Sequence, residues 1–144
     1  MFDTGNRCKR NVHGIHFVIM CDEAGIFNAF NFVKDRLAVG RGIAFLTLIY
    51  TVSDNTPHPL FEQELSILEK RFSHDLIVLI LKIDNTKNYF NQEVIEAAIN
   101  SNTLLVMKFS IFGTAEFVNY ASEVLKFLDV QAFMIHSKII DDES

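Results

Sequence analysis

The stretch His16-Phe-Val-Ile-Met-Cys-Asp-Glu-Ala-Gly-Ile-Phe-Asn-Ala-Phe-Asn-Phe-Val33 decides the fold of this chain. It begins as a short apolar run, breaks at Asp22–Gly25, and continues with apolar residues at helical spacing. The positions i, i+3, i+4, i+7 and i+11, which share one face of a helix, are Ile26, Ala29, Phe30, Val33 and Leu37. A strand, a tight glycine-containing loop and a helix in this order are typical of the start of a nucleotide-binding α/β domain.

Length, composition and charge restrict the class of protein. The chain has 144 residues, 49% of them hydrophobic and 22% charged, which predicts one folded globular domain. Its net charge of −5 argues against nucleic acid as a partner, because nucleic-acid binding depends on a cationic surface. The sequence contains neither a membrane-span pattern nor a signal-peptide pattern, so we expect a cytoplasmic protein that binds no membrane. Nothing in the sequence indicates its oligomeric state.

The rest of the chain alternates strands with helices. Apolar runs predict further strands at 43–52, 76–83, 104–112 and 132–136. Helical spacing predicts a first helix that ends near Val39 before Gly40-Arg41-Gly42, and later helices opened by Pro59, by Asn91 and by Gly113-Thr114. Residues 1–14 read as an irregular lead-in and 138–144 as an acidic tail. Five strands and four helices joined by short loops predict a single α/β domain over 1–144, a parallel sheet with helices on both faces.

Three stretches together resemble the C-terminal NAD(P)-binding domain of ferredoxin–NADP reductase-type flavoprotein oxidoreductases. That family has Gly-Gly-Thr-Gly-Ile after its first strand, where this chain has Asp22-Glu23-Ala24-Gly25-Ile26. A strand ending in an aliphatic residue and Tyr, then Leu-Phe-x-x-Glu-Leu, is matched by Leu48-Ile49-Tyr50 and by Leu60-Phe61-Glu62-Gln63-Glu64-Leu65. The family's Cys-Gly-Pro-x-x-Phe or -Met is matched by Phe112-Gly113-Thr114-Ala115-Glu116-Phe117. The resemblance covers roughly residues 15–140.

The resemblance implies a Rossmann-like, five-stranded sheet of order 3-2-1-4-5, which places strands one and four side by side. The loops that follow these strands would then flank the point where such sheets bind ligands. It also implies NAD(H) or NADP(H) as the cofactor, with Gly25 and Gly113 permitting close backbone approach. The implied binding residues are Asp22, Glu23, Ala24, Gly25, Ile26, Phe112, Gly113, Thr114 and Phe117.

One further position bears on the choice between the two cofactors. Asp84 follows the third strand, where NADP-type members of the family place Ser-Arg. A carboxylate there favours a free ribose hydroxyl over a 2′-phosphate, and therefore NAD over NADP. The alternative interpretation is that Asp84 is a solvated loop residue.

The family's flavin-binding domain and its Arg-x-Tyr-Ser/Thr motif do not occur in this sequence. Hydride transfer to a flavin is the chemistry of the two cofactors, so it needs that domain. The resemblance therefore implies a module of a flavin-dependent electron-transfer oxidoreductase that meets FAD only through a separate flavin-domain protein partner. We expect no catalytic residue in this chain, and the scattered histidines predict no metal site.

The departures from the family favour a second hypothesis, a degenerate non-catalytic descendant that acts as an interaction or regulatory subunit. Asp22 and Glu23 place two carboxylates where the family has glycine, and like charges 4 Å apart cost about 4 kcal/mol at an effective dielectric of 20. Ala24 replaces Thr, Phe112 replaces Cys and Thr114 replaces Pro. Two structural alternatives remain open, namely that the acids cap the first helix and that Phe112 is a core residue.

A receiver domain of the response-regulator type is the third hypothesis, since it is also a five-stranded α/β domain. Asp22 and Glu23 would supply its acid pair, Asp84 the phosphoacceptor, Ser110 the hydroxyl and Lys138 the lysine, with Mg²⁺ held by the carboxylates. This hypothesis ranks last, because Lys138 is not followed by Pro and Asp84 lies deeper in the chain than usual.

Overall fold

The computed structural model describes residues 14–39, 44–83, 90, 92–100 and 106–140. The described strands are β1 (Ile15–Cys21), β2 (Ala44–Ser53), β3 (Leu76–Ile83), β4 (Val106–Gly113) and β5 (Ile135–Ile139). The described helices are α1 (Ile26–Val39), α2 (Glu62–Arg71), α3 (Gln92–Asn100) and α4 (Ala115–Phe127), followed by a short 3-10 helix at Ala132–Met134. No described helix has the length and apolar composition of a membrane span.

All strand pairs of the sheet are parallel, and the strand order is β3-β2-β1-β4-β5. This order and the α/β class confirm the prediction. The last residue of β1, Cys21, pairs with Tyr50 of β2 on one side and with Phe112 of β4 on the other. The carboxyl ends of the three central strands are therefore level, and the loops after β1 and β4 lie next to each other.

Two hydrophobic cores lie on opposite faces of the sheet, because side chains alternate along each strand. Phe17, Ile19 and Cys21 of β1 belong to the core that contains the buried residues of α1 and α2. Val18 and Met20 belong to the other core, which contains those of α3 and α4. Burial on both faces explains why β1 is nearly continuous in apolar residues.

The start of α2 differs from the prediction. Pro59 does not open this helix; the helix begins at Glu62, whose N–H donates to the Pro59 carbonyl over 3.1 Å. The residue before it, Phe61, has a left-handed backbone with φ of 68°. Its ring stacks on that of Phe30 with centroids 4.3 Å apart, and this contact accounts for the turn that delays the helix.

The last strand also differs from its predicted position. Ala132–Met134 form the 3-10 turn, and β5 begins three residues later than predicted and continues to Ile139. Lys138, predicted to lie in the tail, therefore belongs to the strand and pairs with Phe112. The glycines predicted to end α1 (40–42) and the predicted cap of α3 (91) lie outside the described residues.

Candidate functional site

The carboxylate of Asp22 joins the two loops that meet at the carboxyl ends of β1 and β4. Its Oδ1 accepts from the backbone N–H of Gly25 over 3.0 Å. Its Oδ2 accepts from the backbone N–H and the hydroxyl of Thr114, over 3.2 and 3.0 Å. One side chain thus holds together two loops that are 92 residues apart in the sequence.

Thr114 is the N-terminal cap of α4. Its hydroxyl oxygen accepts from the backbone N–H of Phe117 over 3.3 Å while its proton is donated to Asp22. The positive end of the helix dipole lies at the same place, so it favours the negative charge of the Asp22 carboxylate. The start of α4 therefore binds a carboxylate, and that carboxylate is the side chain of Asp22 in the same protein.

Two glycines make the close packing of these loops possible. A Cβ at Gly25 would overlap the backbone carbonyl of Phe112. A Cβ at Gly113 would lie 2.6 Å from Oδ1 of Asp22 and 2.9 Å from the ring of Phe117. Gly25 and Gly113 thus allow the two loops to approach each other closely, whereas the expected approach to a bound nucleotide stays a prediction.

Glu23 turns away from Asp22. Its Oε2 accepts from the hydroxyl of Thr56, in the loop after β2, over 2.7 Å at the surface. The two carboxylates therefore have different partners, in loops on opposite sides of β1. Helix capping by the acid pair is found only in part, since Asp22 alone bonds to the turn before α1 and also contacts Thr114.

The apolar residues among the predicted binding positions are buried in the cores. Phe112 is 7% exposed and packs near Phe32, with ring centroids 5.9 Å apart. Ile26 and Phe117 are buried completely or nearly so. The alternative interpretation of Phe112 as a core residue is therefore correct, and the side chains of all three residues belong to the two cores.

Ala24 is half-buried in the turn between β1 and α1, and Asp84 lies outside the described residues. The constellation proposed for a receiver domain is not assembled in the described part of the chain. Ser110 pairs with Ile19, three residues before Asp22, which corresponds to about 10 Å along a strand. No group of His, Cys, Asp or Glu side chains among the described residues could hold a metal ion.

Two residues that hold the loops in place were not predicted as site residues. Thr56 bonds to Glu23, and the hydroxyl of Thr51 donates to the Cys21 carbonyl over 3.3 Å. The sequence could have indicated these two residues only through their positions, Thr51 in β2 and Thr56 in the loop after it. Their hydrogen-bond partners are 30 and 33 residues away in the sequence. Burial and the neighbouring Asp22 carboxylate raise the pKa of the Cys21 thiol, which therefore stays protonated.

The arrangement can bind an anion through Gly25 N–H, Thr114 N–H and the Thr114 hydroxyl, and Asp22 already uses all three donors. The residues as they stand do not fit the pyrophosphate of a dinucleotide, because that group needs the same kind of donors at helix N-termini. A bound pyrophosphate requires Asp22 to turn away.

The fold is similar to parts of several solved reductase structures. The CS-b5R domains of human Ncb5or in the NAD+ form align with a TM-score of 0.71 and 13% identity, over 93% of this chain and 38% of that one. Ferredoxin-NADP+ reductase from Plasmodium falciparum aligns with a TM-score of 0.65 and 14% identity, over 93% and 54%. Flavohemoglobin from Malassezia yamatoensis with bound FAD and heme aligns with a TM-score of 0.69 and 18% identity, over 89% and 32%.

These alignments confirm the predicted ferredoxin-reductase type of fold. This chain spans about half of the Plasmodium falciparum reductase and about a third of the other two proteins. No protein-family model matches the chain, and the comparison with curated proteins gives no match.

Proposed function

We propose that this chain is the pyridine-nucleotide-binding module of a flavin-dependent electron-transfer oxidoreductase that works with a separate flavin domain. The observation that carries the proposal is the alignment of 93% of the chain with only part of a ferredoxin-NADP+ reductase and of a protein in an NAD+ form. A module that matches part of a reductase needs a flavin domain to complete electron transfer.

In this proposal the nucleotide lies across residues 22–26 and 112–117, at the switch point of the sheet. The backbone N–H groups of Gly25 and Thr114, at the starts of α1 and α4, receive the negatively charged part of the ligand once Asp22 has turned away. A preference for NAD(H) over NADP(H) rests on the carboxylate of Asp84. The chain itself supplies binding and orientation, and no side chain is assigned a catalytic role.

A second candidate function is supported by the hydrogen bonds of Asp22. A module whose anion-binding donors are occupied by its own carboxylate is suited to serve as an interaction or regulatory subunit. The fold by itself does not choose between the two, because one scaffold supports both binding and non-binding descendants.

Calorimetric titration of the purified chain with NADH and with NADPH tests the proposal. We expect saturable binding of NADH that is tighter than binding of NADPH. Absence of saturable binding of either nucleotide at millimolar concentration would contradict the first proposal. Binding that appears only in Asp22→Ala would support the second candidate, because the fold would then retain a site that its own carboxylate closes.

A further inference from the structure

A cleft of about 410 Å³ lies on the α1 face of the sheet, away from the switch point. The topology explains why it is there. Helices α1 and α2 connect β1 to β2 and β2 to β3, so right-handed crossovers place both on one face, above that half of the sheet. Helices α3 and α4 cover the opposite face, so among the described helices only the side of α1 covers β4 and β5 on the α1 face.

The sheet surface in this cleft carries polar and cationic side chains, whereas the same face of β1 carries Phe17, Ile19 and Cys21. Lys108 and Ser110 lie on the same face of β4 as Phe112, which belongs to the α1 core. His136 pairs with Ser110 and Lys138 pairs with Phe112, so both lie on that face as well. A strand covered by a helix would carry apolar residues at these positions.

Arg36 of α1 forms the opposite wall of the cleft. Its guanidinium lies over two aromatic rings, 5.1 Å from the centroid of Phe17 and 4.5 Å from that of Phe32. Its Nε is buried and has no hydrogen-bond partner among the described residues. No Asp or Glu is among the described residues that line the cleft. A guanidinium that is fixed by stacking and has no carboxylate partner among residues 14–39, 44–83, 90, 92–100 and 106–140 is prepared for an external anion.

Aromatic and apolar side chains complete the lining. Phe17 and Phe32 contribute to it, and Phe133, which is 86% exposed, stands at the mouth. The volume falls in the range of about 300–1,000 Å³ that small-molecule sites occupy. An aromatic wall together with cations, and no carboxylate among the described lining residues, favours a ligand that is itself flat and negatively charged.

We propose that this cleft binds a small planar aromatic anion, a ring that carries one carboxylate or phosphate group. Arg36 and Lys108 pair with the anionic group, Ser110 donates a hydrogen bond to it, and Phe133 stacks on the ring. Phe17 precedes Asp22 by five positions, about 16 Å along a strand, and Ser110, which pairs with Ile19, is still about 10 Å from Asp22 along the strand direction. The cleft is therefore a site separate from the proposed nucleotide site.

Fluorescence titration with 2-naphthoate and with 2-naphthyl phosphate tests the proposal, and the chain contains no Trp that would add background emission. Neutral 2-naphthamide is the reference ligand. We expect both anions to bind saturably and roughly tenfold more tightly than the amide, the factor that one charge-assisted hydrogen bond supplies. The tighter of the two anions shows whether the site prefers a carboxylate or a phosphate.

The variant Arg36→Met keeps the aliphatic volume and removes the charge, and we expect it to reduce binding of the anions to the level of the amide. Lys34→Met is the matched control, because Lys34 lies on the same helix over Phe30, 5.1 Å from its ring centroid and outside the cleft. We expect this control to leave all affinities unchanged. Phe133→Ser, an exposed position that does not endanger folding, should weaken the anions and the amide alike.

Equal affinity for the anions and the amide, or equal affinity of Arg36→Met and the wild type, would overturn the proposal. Absence of saturable binding of both anions would overturn it as well. Addition of NADH should not displace naphthoate. This experiment therefore fails or succeeds independently of the proposed nucleotide site.

Discussion

Replacing Asp22 by alanine removes the side chain that joins the loops after β1 and β4. The carboxylate accepts three hydrogen bonds, one from Gly25 and two from Thr114, in a partly buried position. A net contribution of about 1 kcal/mol for each bond gives a loss of about 3 kcal/mol in the free energy of unfolding. Urea unfolding of the wild type and of Asp22→Ala, at neutral pH, measures this difference.

The same substitution should improve nucleotide binding, because it frees the donors at the helix N-termini. We expect Asp22→Ala to bind NADH at least roughly tenfold more tightly than the wild type, which corresponds to about 1.4 kcal/mol. NADH at a hundred times its dissociation constant should then restore about 2.7 kcal/mol of the lost stability. Calorimetry and urea unfolding in the presence of NADH measure the two effects separately.

Glu23→Ala is the matched control, since both variants change the net charge of −5 by the same single unit. Glu23 makes one exposed hydrogen bond to Thr56, so its loss should change the unfolding free energy by no more than about 0.5 kcal/mol. It should leave the NADH affinity unchanged. If Asp22→Ala and Glu23→Ala have the same free energy of unfolding, the hydrogen bonds of Asp22 to Gly25 and Thr114 do not stabilise the fold. If both variants bind NADH with the same affinity, the freed donors are not part of a nucleotide site.

Two further predictions concern stability. Gly25→Ala should destabilise the fold by roughly 2 kcal/mol or more, because the new Cβ would overlap the Phe112 carbonyl. A thermal unfolding midpoint of this variant near that of the wild type would refute the described packing. Burial lowers the pKa of His16 from 6.5 to about 4. Between pH 6.5 and pH 4 the unfolded chain therefore binds more protons than the folded one. The free energy of unfolding should fall by roughly 3 kcal/mol as the pH drops through this range. His16→Leu should flatten the dependence of the unfolding free energy on pH. The matched control His136→Leu, at an exposed position, should retain this dependence. Equal slopes of unfolding free energy against pH in both variants would show that other groups cause it.

The core of the fold could be predicted because the spacing of apolar residues in the sequence changes where a strand gives way to a helix. The apolar run of β1 is buried on both faces, and the helical spacing that begins at Ile26 matches the buried face of α1. The start of β5 could not be located in this way. Ala132–Met134 are as apolar as a strand, but none of them is buried, and Phe133 is largely exposed.

The site could be predicted only as a set of loop residues. Their position at the carboxyl ends of β1 and β4 follows from the strand order, which the resemblance to the reductase family implies. The direction of each side chain does not follow, because the partners of Asp22 and Glu23 are 92 and 33 residues away. Local pattern therefore placed the two acids in the loop after β1 and gave no means of distinguishing their different hydrogen-bond partners.

The bridge made by Asp22 has a consequence for the kinetics of any anion that binds at Gly25 and Thr114. The carboxylate is tethered beside these donors, so an incoming ligand can bind only during the fraction of time when the bridge is open. If the open form were about one molecule in a hundred, the apparent dissociation constant would be a hundred times the intrinsic one. The exchange rates of the Gly25 and Thr114 amide protons report this opening in the free protein. A single rotating side chain can thus set both the occupancy of the site and the pace at which it fills, while the sheet beneath it stays as it is.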